Sequence, residues 1–183
     1  MQGVQEEDRL TNRALFGYAL SAAPVIYGYV LILIMYMKYA AVELGLSTAL
    51  IGTIFVVAKG WDAITDPLVG NLSDRTTHPS GRRRPWLLAS APLLAISTVM
   101  AWAPPSSLEG AALAIWITIA VLGFYTAYTM FEVPHMSLGA ELSLRAPERN
   151  RIFSARQILR IVGMLLAGVG GSQLIENHPE WTL

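Results

Sequence analysis

The chain has 183 residues, of which 54% are hydrophobic and 14% charged, and its 13 basic and 13 acidic side chains leave a formal net charge of zero. With a mean hydropathy of +0.46, this composition belongs to the membrane class rather than to soluble domains, and no nucleic-acid partner is expected. No cysteine occurs, which excludes disulfides and thiolate metal sites.

Residues 1–13 are polar, ending in EEDRLTNR, and read as a cytoplasmic N-terminal segment. The apolar run that follows is too long for the core of a signal peptide, so it is expected to be a retained span. Five stretches can cross roughly 30 Å of hydrocarbon at about 1.5 Å per residue. They lie near 14–37, 49–72, 86–103, 111–134 and 157–175, within a partial transmembrane bundle covering 14–176. Residues 177–183 are left as a truncated tail. Arg9 and Arg13 precede the first span, Arg75, Arg82, Arg83 and Arg84 follow the second, and Arg145, Arg149, Arg151 and Arg156 follow the fourth. Only Lys38 falls in the alternate loops, so the positive-inside rule predicts a cytoplasmic N-terminus and an outward-facing tail.

The second span, within KGWDAITDPLVGNLSD (59–74), carries Lys59, Asp62 and Asp66 among apolar residues. Three such charges facing lipid unpaired would cost roughly 8–10 kcal/mol on insertion scales. At about 100° per residue the three fall within an arc of about 60°, so that face is expected to look into a bundle or a wet cavity. Pro67 lacks the N–H that the carbonyl of Ala63 would receive, and Thr65 adds a hydroxyl. Carboxylates, a hydroxyl and a loosened carbonyl are hard oxygen ligands, suited to a small cation such as Na⁺ or to a proton. The alternative is that Lys59 only neutralises an aspartate and the trio merely orients helices.

The fourth span reads GFYTAYTMFEVPHMSLG from Gly123 and places Tyr125, Tyr128, Glu132 and His135 within about 80° of one another. A carboxylate flanked by phenols can accept hydrogen bonds from a polyol while the rings pack on its apolar face. Packing or interface roles for the tyrosines, and pairing of Glu132 with Arg156 or Arg160, are the alternative. His135 reads as a hydrogen-bonded core residue. On the fifth span Arg156, Arg160, Gly163, Ala167 and Gly171 share a face of about 80°, and its small residues invite close helix contact. No metal-ligand spacing, phosphate-cradling loop or nucleophile elbow occurs, so neither an enzyme nor a resident metal or organic cofactor is expected.

Two long motifs give the chain a family likeness. WDAITDPLVGNLSDRTTHPSGRRRPW (Trp61–Trp86) closely resembles the helix 2 and loop 2–3 signature of the glycoside-pentoside-hexuronide:cation symporter family, the melibiose-permease-like branch of the major facilitator superfamily. YTMFEVPHMSLGAEL and ERNRIFSARQ, between Tyr128 and Gln157, are similar to the end of helix 4 and the start of helix 5 in that family. The resemblance implies an all-α polytopic membrane helix bundle, here five transmembrane helices of a six-helix N-terminal half, with the C-terminal half missing. It implies a bacterial inner-membrane protein that couples Na⁺ or H⁺, with Li⁺ as a further candidate, to symport of a sugar or glycoside by alternating access. Position by position, it assigns Asp62, Asp66 and Thr129 to the cation, with Thr65 beside them, and Tyr128, Glu132 and Arg156 to the substrate, with Tyr125 nearby. Gly70, Asp74, Arg75, Gly81, Arg82, Arg83 and Arg84 match the superfamily's cytoplasmic gating loop.

The chain also departs from the family pattern. Ala22 and Ser21 stand where the family's permease has an acidic and a basic sugar-site residue, Met136 stands in place of a tryptophan, and Glu132 in place of an aspartate. Loss of the hydroxyl acceptor at Ala22 and of the aromatic platform at Met136 argues against galactosides. A lysolipid or other amphiphile, transported by other members of the family, is the alternative substrate, and a non-transporting membrane scaffold is the alternative function.

Overall fold

The computed structural model describes residues 10–177. Residues 1–9 and 178–183, which hold most of the predicted N-terminal segment and tail as well as Arg9 and His178, lie outside the described residues. Among those described, the regular structure is all helical. Among the described residues, five helices are long and apolar enough to cross a membrane: α1 (Asn12–Val42), α2 (Thr48–Arg75), α3 (Arg84–Trp102), α4 (Gly110–Glu141) and α5 (Ala146–Asn177). The chain is therefore an integral, polytopic membrane protein.

Local chemistry sets the helix ends. The Thr11 hydroxyl accepts from the Ala14 N–H at the start of α1, and Ser47 does the same for Leu50 at the start of α2. Pro85 sits in the first turn of α3, where its missing N–H costs nothing. With 19 residues, α3 is about 28 Å long and only just spans hydrocarbon. Helix α5 begins at Ala146, well before the apolar stretch at 157, because Pro147 and Glu148 suit a helix's first turn and the polar residues up to Arg156 continue it outside lipid. Within α1 the residues Leu31–Met35 form a π-turn. Pro67, Pro92 and Pro134 lie inside α2, α3 and α4 without ending them.

The spans leave large apolar side chains uncovered. Val56 is 73% exposed, Leu88 74% and Leu165 66%, values at odds with water as the solvent of these faces and in keeping with lipid.

The fold divides into two compact units: residues up to Tyr36 together with those from Ser137 onward, and Met37–Met136. In the first, α1 packs along α5. Gly163 is the tightest of the α5 glycines, since a Cβ there would lie 2.4 Å from the Ala23 carbonyl oxygen. Ala167 lies one turn on and is buried with Ile26 and Val30. The small-residue stripe of α5 is thus the surface that α1 lies against. At one end, Glu148 accepts from the Leu10 N–H (3.2 Å) and from Arg151 (2.7 Å), while Arg151 also donates to the Leu10 carbonyl and to Asn12. The start of α5 thereby clamps the entry to α1.

In the second unit α4 is the central element, with Ile117, Ala120, Val121, Phe124 and Ala127 all buried. Against α3, Trp116 donates to the Met100 carbonyl (2.9 Å) and Gly123 faces Ser97. Against α2, Trp61 donates to Thr126 (2.8 Å) and Gly70 faces Val133. Tyr39 reaches the Trp102 carbonyl (2.7 Å) and tilts against its ring.

Candidate functional site

The two aspartates of α2 meet at one side chain of α4. Thr129 Oγ1 lies 2.9 Å from Asp62 Oδ1 and 2.9 Å from Asp66 Oδ1. Asp62 and Asp66 are one helical turn apart, so both carboxylates reach the same neighbour. Thr129 is buried, whereas Asp66 is exposed and Asp62 lies between the two. The oxygens therefore form a ledge that is backed by α4 and open on its far side.

A hydroxyl carries a single proton and can donate to one carboxylate at a time. The second oxygen–oxygen contact becomes attractive only when positive charge enters, either as a proton on one carboxyl or as a small cation among the three oxygens. This two-carboxylate, one-hydroxyl set is chemically suited to either. Among the described residues no group of three or more His, Cys, Asp or Glu is placed to hold a metal ion.

Lys59 completes the charge arrangement. Its Nζ is 3.2 Å from Asp62 Oδ2 and 4.6 Å from the centroid of the Tyr125 ring. The trio predicted from helical periodicity thus stands together, and it sums to one negative charge. Thr65 is buried, and its hydroxyl donates to the Asp62 carbonyl (3.3 Å), so it bonds the backbone of α2 beside the carboxylates.

Of the residues expected at a substrate site, Tyr125 is buried under Lys59, with its ring edge-on to Phe124. Tyr128 and Glu132 are half-buried on the same helix, on either side of Thr129 in sequence. His135 is buried and stacks on Phe131, with ring centroids 4.8 Å apart. Arg156 is buried in the other compact unit.

The loop between α2 and α3 is built around a clasp. Arg83, itself buried, donates to Ser73 (2.8 Å) and pairs with Asp74, and Trp86 donates to Thr76 (2.9 Å). The chain reverses through Gly81, which has a φ of +95° and whose N–H donates to the His78 carbonyl. A side chain at that φ would be strained, which is why glycine precedes the arginine run. Arg75, Arg82 and Arg84 are exposed around the clasp, and Gly70 lies one turn before it on α2.

A family model described as MFS/sugar transport protein matches residues 17–179. The chain belongs to this family of membrane transport proteins. Among the relatives of this major-facilitator polypeptide are the inner membrane symporter YicJ of Escherichia coli, 32% identical over 87% of this chain and 35% of the relative, and the putative glycoside/cation symporter YagG of the same organism, 32% identical over 86% of this chain and 34% of the relative. A sodium-dependent lysophosphatidylcholine symporter 1-B of Danio rerio is 32% identical over 67% of this chain and 23% of the relative. The chain spans about a third or less of the length of these relatives. The relatives are named as symporters and not as enzymes, which places this major-facilitator chain with transporters.

Periodicity and the cost of buried charge single out Lys59, Asp62 and Asp66, and the family resemblance adds Thr129. The Trp61–Thr126 bond, the Tyr125 ring beneath Lys59 and the Glu148–Arg151 clamp come from the structure alone. Trp61 opens the family motif and is marked in its own right as a large polar-tipped aromatic directly before a charged residue, but neither signal names Thr126 as its partner. Thr126 carried none, because a threonine in a span satisfies itself on its own helix, and this one also bonds the Leu122 carbonyl.

Proposed function

We propose that this chain is the N-terminal five-helix part of a cation-coupled symporter, with Asp62, Asp66 and Thr129 as its cation site. The observation that carries the reading is the single Thr129 hydroxyl set 2.9 Å from both carboxylates. Because Lys59 leaves the trio with one negative charge, a single monovalent cation, Na⁺ or H⁺ with Li⁺ as a further candidate, closes the balance. Neutralising the ledge lowers the cost of carrying it between an outward and an inward environment. Thr65 supports the site by fixing the backbone that carries Asp62.

The solute is proposed to be a sugar or glycoside. Tyr125, Tyr128 and Glu132, on the helix that supplies Thr129, provide phenol and carboxylate groups for hydroxyl recognition. Arg156 is included on the strength of the family match alone. Binding of solute and cation are then linked, each raising the affinity for the other. The membrane orientation follows the arginine distribution, with the N-terminus and the α2–α3 loop cytoplasmic, in a bacterial inner membrane. In this orientation Asp74 and Arg83, with Gly70, Gly81 and the arginines at 75, 82 and 84, serve as the cytoplasmic gating loop.

The relatives named as lysophosphatidylcholine symporters favour a second reading of the solute, in which an amphiphile takes the place of the sugar. Uptake by proteoliposomes carrying the full-length protein separates the two when labelled glycosides and labelled lysophosphatidylcholine are offered in parallel under Na⁺, Li⁺ and pH gradients. The cation reading requires gradient-dependent uptake of one of them, abolished by Asp62→Asn or Asp66→Asn. Uptake that ignores every cation gradient, or that survives both substitutions, would overturn it.

A further inference from the structure

Asp62 uses its two oxygens differently. Oδ1 faces the Thr129 hydroxyl that it shares with Asp66, whereas Oδ2 holds the Lys59 ammonium at 3.2 Å. An ammonium and a coupling cation are both compact monovalent charges that seek carboxylate oxygen, and each weakens the carboxylate's hold on the other. Lys59 is also tethered on the same helix, three residues before Asp62, so it is present at high local concentration whatever the bulk ion content.

The ammonium has a second place to rest. Its Nζ lies 4.6 Å from the Tyr125 ring centroid, within the roughly 6 Å range over which an aromatic face attracts a cation. The Lys59 side chain is 49% exposed, against 18% for Asp62, so the lysine retains room to move while the carboxylate stays in place. A cation arriving at Asp62 can displace the ammonium from Oδ2 without forcing it into hydrocarbon, because the ring still holds it.

We infer that Lys59 is a built-in rival of the coupling cation for Asp62, and that the Tyr125 face holds its ammonium while the cation is bound. The inference rests on the cation-coupled reading above and adds to it how affinity is set and how the site is reset. When the cation leaves, Lys59 returns to Oδ2, so the carboxylate is never bare inside the membrane. A lysine at this position holds affinity down and thereby favours release.

The test is a Na⁺ titration of the purified full-length protein, followed by thermal unfolding in detergent, with choline as the inert control. The wild type shows a saturable rise in Tm that Asp62→Asn abolishes. Lys59→Met moves the midpoint to roughly fivefold lower Na⁺, the fold-change expected from losing a partly exposed pair. Tyr125→Leu moves it higher, because the ammonium loses its alternative seat. General charge repulsion would leave that variant at the wild-type midpoint. Acylation of Lys59 by an amine-reactive ester, followed by peptide mass spectrometry, supplies a second readout in the wild type and rises with Na⁺ but not with choline. A Lys59→Met midpoint equal to or above the wild type overturns the proposal and leaves the cation site standing, as does Lys59 labelling that ignores Na⁺. Absence of any Na⁺ or Li⁺ response in the wild type overturns the proposal and confines the cation reading above to H⁺.

Discussion

Trp61 donates its indole N–H to the Thr126 hydroxyl over 2.8 Å, joining α2 to α4 one residue before Asp62 and three before Thr129. Two hydrogen-bonded contacts close together therefore set the register of these helices at the carboxylates. Interhelical hydrogen bonds in membranes are worth about 0.6 kcal/mol on average, so losing this one should cost little stability. The expected effect falls on geometry. Trp61→Phe should keep Tm within about 2 °C while raising the Na⁺ midpoint severalfold, because Thr129 no longer meets both aspartates at one distance. An unchanged midpoint would mean that Thr129 alone holds the register.

Thr129 itself should be far less replaceable. Thr129→Val keeps the shape of the side chain but removes the hydroxyl, leaving two carboxylates side by side with no donor between them. A hydrogen bond to a charged group is worth about 1.5–3 kcal/mol, so the Na⁺ midpoint should rise by about ten- to a hundredfold. Thr129→Ser restores the hydroxyl and should recover most of the response. Equal midpoints for valine and threonine, measured by the same Tm titration, would remove Thr129 from the cation site.

The parts of this site that could be read from residues alone are those for which a wrong placement would be expensive. Lys59, Asp62 and Asp66 stand out because charge in an apolar stretch has to be turned inward, and helical spacing then puts all three on one face. Nothing comparable marks Thr126, whose misplacement would cost almost nothing. The clamp of Glu148 and Arg151 on Leu10 and Asn12 joins residues some 140 positions apart, a pairing that no local pattern encodes. The π-turn at Leu31–Met35 is likewise silent, since LILIM is an ordinary apolar run. Helix α5 extends past its apolar stretch because hydropathy marks where lipid begins, whereas Pro147 and Glu148 mark where the helix does.

The stripe of small residues on α5 makes a prediction with its own control. At Gly163 a Cβ would sit 2.4 Å from the Ala23 carbonyl oxygen and 2.7 Å from Ile26, so α1 has to shift to admit it. Gly163→Ala should therefore destabilise by about 1–3 kcal/mol, as overpacking does. At Gly168 nothing lies within 4 Å of the added atom, and Gly168→Ala should be neutral or slightly stabilising, since alanine is the better helix former. Thermal unfolding of the two variants side by side reads the difference. Equal losses would mean that α1 and α5 are not in contact at Gly163.

The clasp between α2 and α3 should respond differently depending on which partner is removed. Arg83 is 6% exposed and Asp74 57%. Removing Asp74 leaves a guanidinium buried with Ser73 but without its carboxylate, and breaking a buried pair in this way costs about 3–5 kcal/mol. That range is an upper bound here, because one partner of the pair faces solvent. Removing Arg83 leaves Asp74 hydrated and forfeits the bond to Ser73, about 1–3 kcal/mol if that hydroxyl stays dry. Asp74→Asn should thus lower Tm more than Arg83→Gln, although both remove one charge from the same pair. Gly81→Ala should cost a further 1–2 kcal/mol or so, through its φ of +95°, while leaving the ion pair in place. If the proposed gating role holds, all three variants slow cation-driven uptake, and they do so with the Na⁺ midpoint unchanged, since none of these residues touches the cation ledge. A shift of that midpoint in Asp74→Asn would show instead that the loop acts through Asp62 and Asp66.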